Sequence, residues 1–185
     1  MKYIFDFDDV LFDNSRQFKE HMYMHLEKAG VPRNEAEKYY KTIPKNKFWL
    51  KELLIHFSLK ESLYEKILTE SKNFLNKELI NIIKKLGKEN CFILTHGHKN
   101  WQKDKIKNTG IESLFSEIFV VSESKKEAVE KICEKYKDEK IIFVDDKIRH
   151  FEDLDFVKYP NLKTILYDEQ GLEKLITEIN VKGHL

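Results

Sequence analysis

Residues 2–13 read KYIFDFDDVLFD. Four aspartates, Asp6, Asp8, Asp9 and Asp13, stand on either side of strongly apolar residues. The run Lys2–Phe7 predicts a short buried strand. On extended backbone Asp6 and Asp8, two positions apart, project to the same side. Crowded carboxylates repel one another, and a buried one is costly unless it is paired or bound to a metal. The segment therefore asks for a cation.

Further apolar runs downstream extend the pattern. Cys91–Thr95 (CFILT), Ile118–Val121 (IFVV), Ile141–Asp145 (IIFVD) and Thr164–Tyr167 (TILY) read as strands. They are continuous rather than alternating, as in strands covered on both faces of a parallel sheet. Helical patterns separate the later ones. Asn76–Leu86 places Leu79, Ile82, Ile83 and Leu86 on one face, with Asn76 as N-cap and Gly87 as the stop. Lys125–Tyr136 carries a stripe of Ala128, Val129, Ile132, Cys133 and Tyr136. Leu172–Ile179 closes the chain. Alternating strands and helices predict an α/β domain with a Rossmann-like parallel sheet.

One interval breaks the alternation. Between Asp13 and about Asn76 only helices are predicted: Ser15–Ala29 stopped by Gly30, Asn34–Ile43 ended before Pro44, Lys47–Phe57, and a fourth reaching about Phe74. Ser58 is the expected cap of the fourth, with Glu61 in the capping-box position. The predicted division is a core of residues 1–13 and 76–185 with a helical cap, 14–75, inserted after the first strand over the carboxyl ends of the sheet. The alternative is a set of helices packed at the side of the sheet.

The bulk composition narrows the possible classes. The 185 residues suit one compact domain with a modest insertion. Lysine plus arginine number 33 and aspartate plus glutamate 32, a net charge of +1, so no global field draws the chain to nucleic acid or to an anionic membrane. The apolar start is broken at Asp6, short of a secretory segment, and no run approaches a membrane span. Cys91 and Cys133 sit in apolar patterns and are expected to be buried free thiols of a cytoplasmic protein. The oligomeric state is not legible.

In an open parallel sheet, ligands bind beyond the carboxyl ends of the strands. The first strand ends in Asp6-Phe7-Asp8-Asp9, the second in Thr95-His96-Gly97-His98. The third runs into Ser122-Glu123-Ser124-Lys125-Lys126, and the fourth ends in Asp145-Asp146. Asp6, Asp8, Asp145 and Asp146 form an oxygen-rich set that suits magnesium, which favours a few carboxylates with water and phosphate oxygens. A lysine and a threonine hydroxyl beside it are donors for a phosphoryl group.

These four stations, in this order, resemble the haloacid dehalogenase superfamily, whose largest membership is magnesium-dependent phosphatases. The resemblance covers residues 1–13 and about 76–170. It implies that Asp6 is the nucleophile, forming an aspartyl-phosphate. It implies that Asp8 protonates the leaving oxygen and then activates water, with its pKa raised by neighbouring carboxylates or burial. It implies Mg²⁺ held by Asp6, the main-chain carbonyl of Asp8, and the acidic pair, with Asp146 favoured as the direct ligand and Asp145 as the second. Thr95, the main-chain N–H of His96 and Lys125 are implied phosphate ligands, with Lys126 as the substitute for Lys125. The expected substrate is a small phosphorylated metabolite. A phosphomutase or phosphotransferase, or a silent binding protein of the same fold, are the alternatives.

Departures from the pattern are Asp9 where glycine is common, Val10 where threonine is common, His96 where asparagine is common, and His150 four residues past Asp146. Arg16, Arg33, Lys45 and Lys47 are candidate contacts for an anionic substrate. Phe48, Trp49 and Trp101 are expected mainly to pack in the core. His96 and His98 lack a third ligand at zinc spacing.

Overall fold

The structure is a computed structural model and describes residues 1–180. Its centre is a five-stranded parallel sheet of β1 (Lys2–Phe5), β2 (Cys91–His96), β3 (Glu117–Val121), β4 (Ile141–Asp145) and β5 (Leu162–Leu166). The order is β3-β2-β1-β4-β5. Phe5 lies beside Ile93 on one flank and Val144 on the other. The strand order therefore reverses at β1/β4, which opens a crevice at their carboxyl ends.

The unbroken apolar runs sort onto two faces by their period of two. Ile4, Phe92, Leu94, Ile141 and Phe143 pack against Val129, Ile132 and Cys133 of α7 (Lys126–Lys135). Tyr3, Phe5, Ile93, Ile142 and Val144 join the opposite core. That core takes in the stripe of α5 (Lys77–Leu86) and Leu175 and Ile179 of the last helix, Gly171–Asn180. Burying each such Phe or Ile contributes about 1.5–3 kcal/mol. Both thiols are free and buried, and burial pushes Cys91 up to about 12 and Cys133 up to about 11.

Local signals set the helix ends. The Asn76 side chain accepts the Leu79 N–H at 3.0 Å at the start of α5, and Gly87 ends it at φ 84°. The insertion opens with α1 (Ser15–Lys28), which closes in a Schellman turn: the Gly30 N–H donates to Glu27 and that of Val31 to Leu26. Next come α2 (Arg33–Thr42), a 3₁₀ turn at Lys45–Lys47, α3 (Leu50–His56), α4 (Ser62–Thr69) and a second 3₁₀ turn at Ser71–Phe74. Its apolar side chains, including Phe18, Met22, Leu53 and Ile67, are continuous with the second sheet face. It overhangs the carboxyl ends of the strands, because Phe18, Met22, Tyr40 and Phe48 share one cavity with Asp6 and Thr95.

Three local expectations are corrected. Ser58 does not cap the fourth helix. It adopts φ 52° as the left-handed residue of a second Schellman turn ending α3, where the Ser58 N–H donates to Ile55 and that of Leu59 to Leu54. The fourth helix starts later, at Ser62, with no side-chain cap. β1 stops at Phe5, so Asp6 and Asp8 do not share a side by strand alternation. Instead the chain folds back, with the Phe12 N–H donating to Phe7 and that of Asp9 to Phe12. Asp9 takes φ 61°, a backbone that Asp tolerates better than most residues.

Candidate active site

Asp6 follows the last residue of β1 and is buried, its N–H donating to the Val144 carbonyl at 2.9 Å. One carboxylate oxygen accepts the Phe7 N–H at 2.7 Å. The Lys125 ammonium reaches the same oxygen at 2.9 Å and Asp145 at 2.6 Å. Lys125, just before α7, is itself only 2% exposed. One buried cation thus serves two buried carboxylates. His150 Nδ1 and the Lys147 N–H complete the shell of Asp145, both at 2.9 Å.

The two carboxylates divide unequally. Burial and the adjacent Asp145 push Asp6 up to about 7 against the pull of Lys125. Burial acts on Asp145 too, but His150 and the closer Lys125 outweigh it and hold that carboxyl below the usual range.

Asp8 sits in the opposite setting. Lys105 pairs with one of its oxygens, and Gln102 Nε2 donates to the other at 2.8 Å. Burial alone would raise its pKa; Lys105 and Gln102 reverse that and lower it. The expectation of a raised Asp8 is corrected on this ground, since its partners are donors and not carboxylates. Gln102 also donates to the His96 carbonyl at 3.1 Å. A Cβ on Gly97, at φ 150°, would lie 2.8 Å from Gln102 Nε2. The glycine lets that amide reach Asp8.

Gln102 and Lys105 lie on α6 (Lys99–Thr109), a helix absent from the sequence reading. Its buried face is Trp101, Gln102, Lys105, Ile106 and Thr109, too polar to show an apolar stripe. The signal that remains is Gly110 at φ 75° ending the helix and His98 capping it, with His98 Nδ1 accepting the Trp101 N–H at 3.4 Å.

Asp6, Asp8, Thr95 and His96 line one cavity of about 460 Å³. The Thr95 hydroxyl is buried and has no partner among the described residues. Lys125 and Asp145 back the site, whereas Lys126 is on the surface beside Glu130. Asp146 is half-buried and pairs with the Lys147 ammonium at 2.9 Å. Burial would lower the pKa of Lys147, but the hydrogen bond and charge of Asp146, joined by Asp6 and Asp145, outweigh it and raise that pKa.

Of the expected substrate contacts, Arg16 and Lys45 line the cavity and are joined by Lys19 and Arg149. Arg33 points elsewhere, pairing with Glu20 and Glu37. Phe48 and Trp101 form part of the wall while packing edge to face at 5.6 Å. Trp49 stacks on His98 at 5.2 Å. Among the described residues no helix is long and apolar enough to cross a membrane.

Asp6, Asp145 and His150 each bring a potential ligand atom within 4.8 Å of the others. Two carboxylates with water and substrate oxygens suit a hard divalent ion such as magnesium. His150, already bonded to Asp145, is placed to hold that carboxylate.

Comparison with known proteins gives the family. The family model of the haloacid dehalogenase-like hydrolases matches residues 3–151. A structure described as a haloacid dehalogenase-like hydrolase from Burkholderia xenovorans superposes with TM-score 0.69 at 16% identity, over 99% of this chain and 97% of that one. The HAD-hydrolase YfnB of Bacillus subtilis, determined with bound magnesium, gives 0.58 at 18% identity, over 97% and 98%. A Thermotoga maritima protein described as a β-phosphoglucomutase gives 0.52 at 19% identity, over 94% and 91%. A search of the curated proteins finds no match. At these identities the structural likeness carries the fold, and the family model carries the membership: the chain belongs to the haloacid dehalogenase-like hydrolases.

Proposed function

We propose that the protein is a magnesium-dependent phosphatase that hydrolyses a small phosphomonoester through an aspartyl-phosphate on Asp6. The observation that carries this reading is the Thr95 hydroxyl. It is a buried, partnerless donor on the wall of the cavity that Asp6 also lines. Such a group is costly unless something enters to accept from it, and a phosphoryl oxygen would.

In this reading Asp6 attacks phosphorus, and its oxygen forms the new P–O bond while the ester oxygen departs. Asp8 gives the departing oxygen a proton and later takes one from the water that cleaves the acyl phosphate. Its ion pair with Lys105 holds it as a base at rest. A dianionic phosphate entering beside it favours its protonated form, because like charges resist ionisation together. Thr95, the His96 N–H and Lys125 hold the phosphoryl oxygens, with Lys125 keeping Asp6 and Asp145 together. Magnesium would be held by Asp6, the Asp8 carbonyl and the Asp145-Asp146 pair. When bound, it would offset the charge of the transferring phosphoryl group. Lys147 occupies that acidic neighbourhood and would give way to it.

The remaining wall suggests the substrate's body. Arg16, Lys19 and Lys45 supply positive charge, and Phe18, Tyr40, Phe48 and Trp101 supply flat apolar surface. The volume falls within the range of about 300–1,000 Å³ typical of small-molecule sites. A phosphorylated metabolite with an aromatic or apolar part fits better than a simple sugar phosphate. The test is phosphate release from a panel of phosphate esters, with magnesium, after chelation and after magnesium is restored. Release that stops on chelation and returns with the ion is expected; metal-independent release, or none from any ester, would sink the proposal. Adding an acceptor alcohol separates hydrolysis from phosphoryl transfer.

A further inference from the structure

Away from the catalytic cavity, α1 carries a second cluster of ligand-type side chains. His21 and His25 are one helical turn apart, and their rings approach to 4.5 Å between centroids. Glu70, the residue between α4 and the Ser71–Phe74 turn, faces both. One of its oxygens lies 3.6 Å from His21 Nδ1, the other 3.9 Å from His25 Nε2. One atom from each of the three residues lies within 4.8 Å of the others.

The histidines are 9% and 4% exposed, and His21 Nε2 and His25 Nε2 are both buried without a hydrogen-bond partner among the described residues. A buried imidazole nitrogen left unpaired is costly; on His25 the unpaired nitrogen is the one that faces Glu70, whereas on His21 it is Nδ1 that faces Glu70. The Glu70 separations are too long for hydrogen bonds. They are close to the edge of a tetrahedral zinc site, about 3.4 Å for ligands 2.0–2.1 Å from the ion. Glu70 is half exposed, so an ion could enter from its side and keep water in an open position.

We propose that His21, His25 and Glu70 form a site for a divalent transition ion of the zinc class, which joins the first helix of the insertion to its last segment. The ligand set is two imidazoles and a carboxylate, which suits zinc, copper or nickel rather than magnesium. Burial and the neighbouring His21 and Lys66 lower the pKa of His25 against the opposing charge of Glu70, which favours the neutral ring that a metal needs. The placement gives the ion a mechanical role. His21 and His25 sit on the helix that leaves the core, and Glu70 precedes the turn that returns to it. There Phe74 accepts the Asp13 N–H at 2.9 Å. A bound ion would tie the outgoing and returning chain together beneath the cavity-lining residues Phe18 and Met22.

The test is cobalt and zinc titration of the full chain in excess magnesium, which occupies the catalytic carboxylates. Visible cobalt bands of a tetrahedral site, displaced by one equivalent of zinc, are expected, with a thermal midpoint that rises as zinc is added. The Glu70→Gln variant changes an exposed side chain and should still fold, yet bind at least about tenfold more weakly. The His21→Gln, His25→Gln double variant should lose the bands, and Asp6→Asn should keep them. Absence of the bands in the unaltered chain, or unchanged bands in both Glu70→Gln and the double variant, would overturn the site. Loss of the bands in Asp6→Asn alone would also overturn it, by moving the metal to the catalytic carboxylates.

Discussion

Asp6 and Asp8 are two residues apart and open on one cavity, yet the protein treats them oppositely. Asp6 belongs to the sheet. It is buried beside Asp145 and shares a single ammonium, so its proton is held up to about 7. Asp8 belongs to α6. Lys105 and Gln102 hold it as a carboxylate. One carboxyl is set by desolvation and the other by donors, and that separation is how neighbouring acids acquire different tasks. The sheet half of the site is built from core strands, and the α6 half from a polar helix against which α4 of the insertion packs.

The largest effect should come from breaking the sheet half. Asp6→Asn should lower turnover by at least about a thousandfold, as loss of a nucleophile does, while the fold survives. The same variant tests the electrostatics. A carboxyl whose folded pKa is raised from near 4 to about 7 binds more protons folded than unfolded across that window. In metal-free protein it therefore makes stability fall as pH rises from about 4 to about 7. Urea unfolding across this range should show Asp6→Asn with a weaker decline. An unchanged slope would mean that Asp6 is not desolvated as described.

Lys125→Met should come next, because it leaves Asp6 and Asp145 without their shared cation. Breaking one partner of a buried pair costs about 3–5 kcal/mol, so the variant should be strongly destabilised as well as inactive. Its urea midpoint measures this. Lys126→Met, at a half-buried neighbour beside Glu130, should change little.

The α6 half should respond more mildly and in a different observable. Lys105→Met should lower kcat by about 10–100-fold, at or below the bottom of the ~100–10,000-fold that an acid–base group itself contributes, because Asp8 remains in place. In the magnesium-loaded enzyme, where the ion would keep Asp6 ionised, it should also move the acidic limb of the pH–rate profile upward, since Asp8, the base of the second step, loses the cation that holds its proton off. Asp6→Asn offers no such limb to move. A Lys105→Met profile that falls in height without shifting would break the comparison, making Lys105 a mere prop.

The same division explains what could be read in the chain. The sheet half was legible because its strands are apolar runs that end abruptly in charge, and such endings mark a ligand edge whatever the family. The strand endings bring Asp6, Thr95 and Asp145 to that edge and put Lys125 in the segment after the third strand, while the choice of Lys125 over Lys126 and the role of each residue come from the family resemblance. Lys105 and Gln102 carry no such signal, because the face of α6 that buries them has only Trp101 and Ile106 as apolar markers. A lysine that is 4% exposed looks, in sequence, like its solvated neighbours Lys103 and Lys107. Asp8 reaches the cavity by a route that strand alternation does not describe. Strand alternation ends at Phe5, and it is the fold-back of residues 7–12 that turns Asp8 into the cavity. Ser58 departs from its expected capping role because a capping-box spacing and a left-handed helix stop use the same small polar residue.

The smallest effect lies where the insertion grips α6. The Tyr64 hydroxyl on α4 donates to Asp104, next to Lys105, and accepts from Trp49 Nε1 at 3.1 Å. Tyr64→Phe keeps the buried ring and removes only the link. The Trp49 N–H is part-buried and can turn to water, while Asp104 loses a donor, so the cost should be about 1 kcal/mol. For a chain of this size that is about 2–4 °C in Tm. The backbone hydrogen bonds and apolar packing that position α6 remain, so Lys105 should keep its grip on Asp8. Turnover should then change by no more than a few-fold, with the acidic limb where it was. If instead Tyr64→Phe reproduces the shift of Lys105→Met, the electrostatics of Asp8 are set from α4 and not from α6 alone, and the boundary between the two halves of the site moves outward into the insertion.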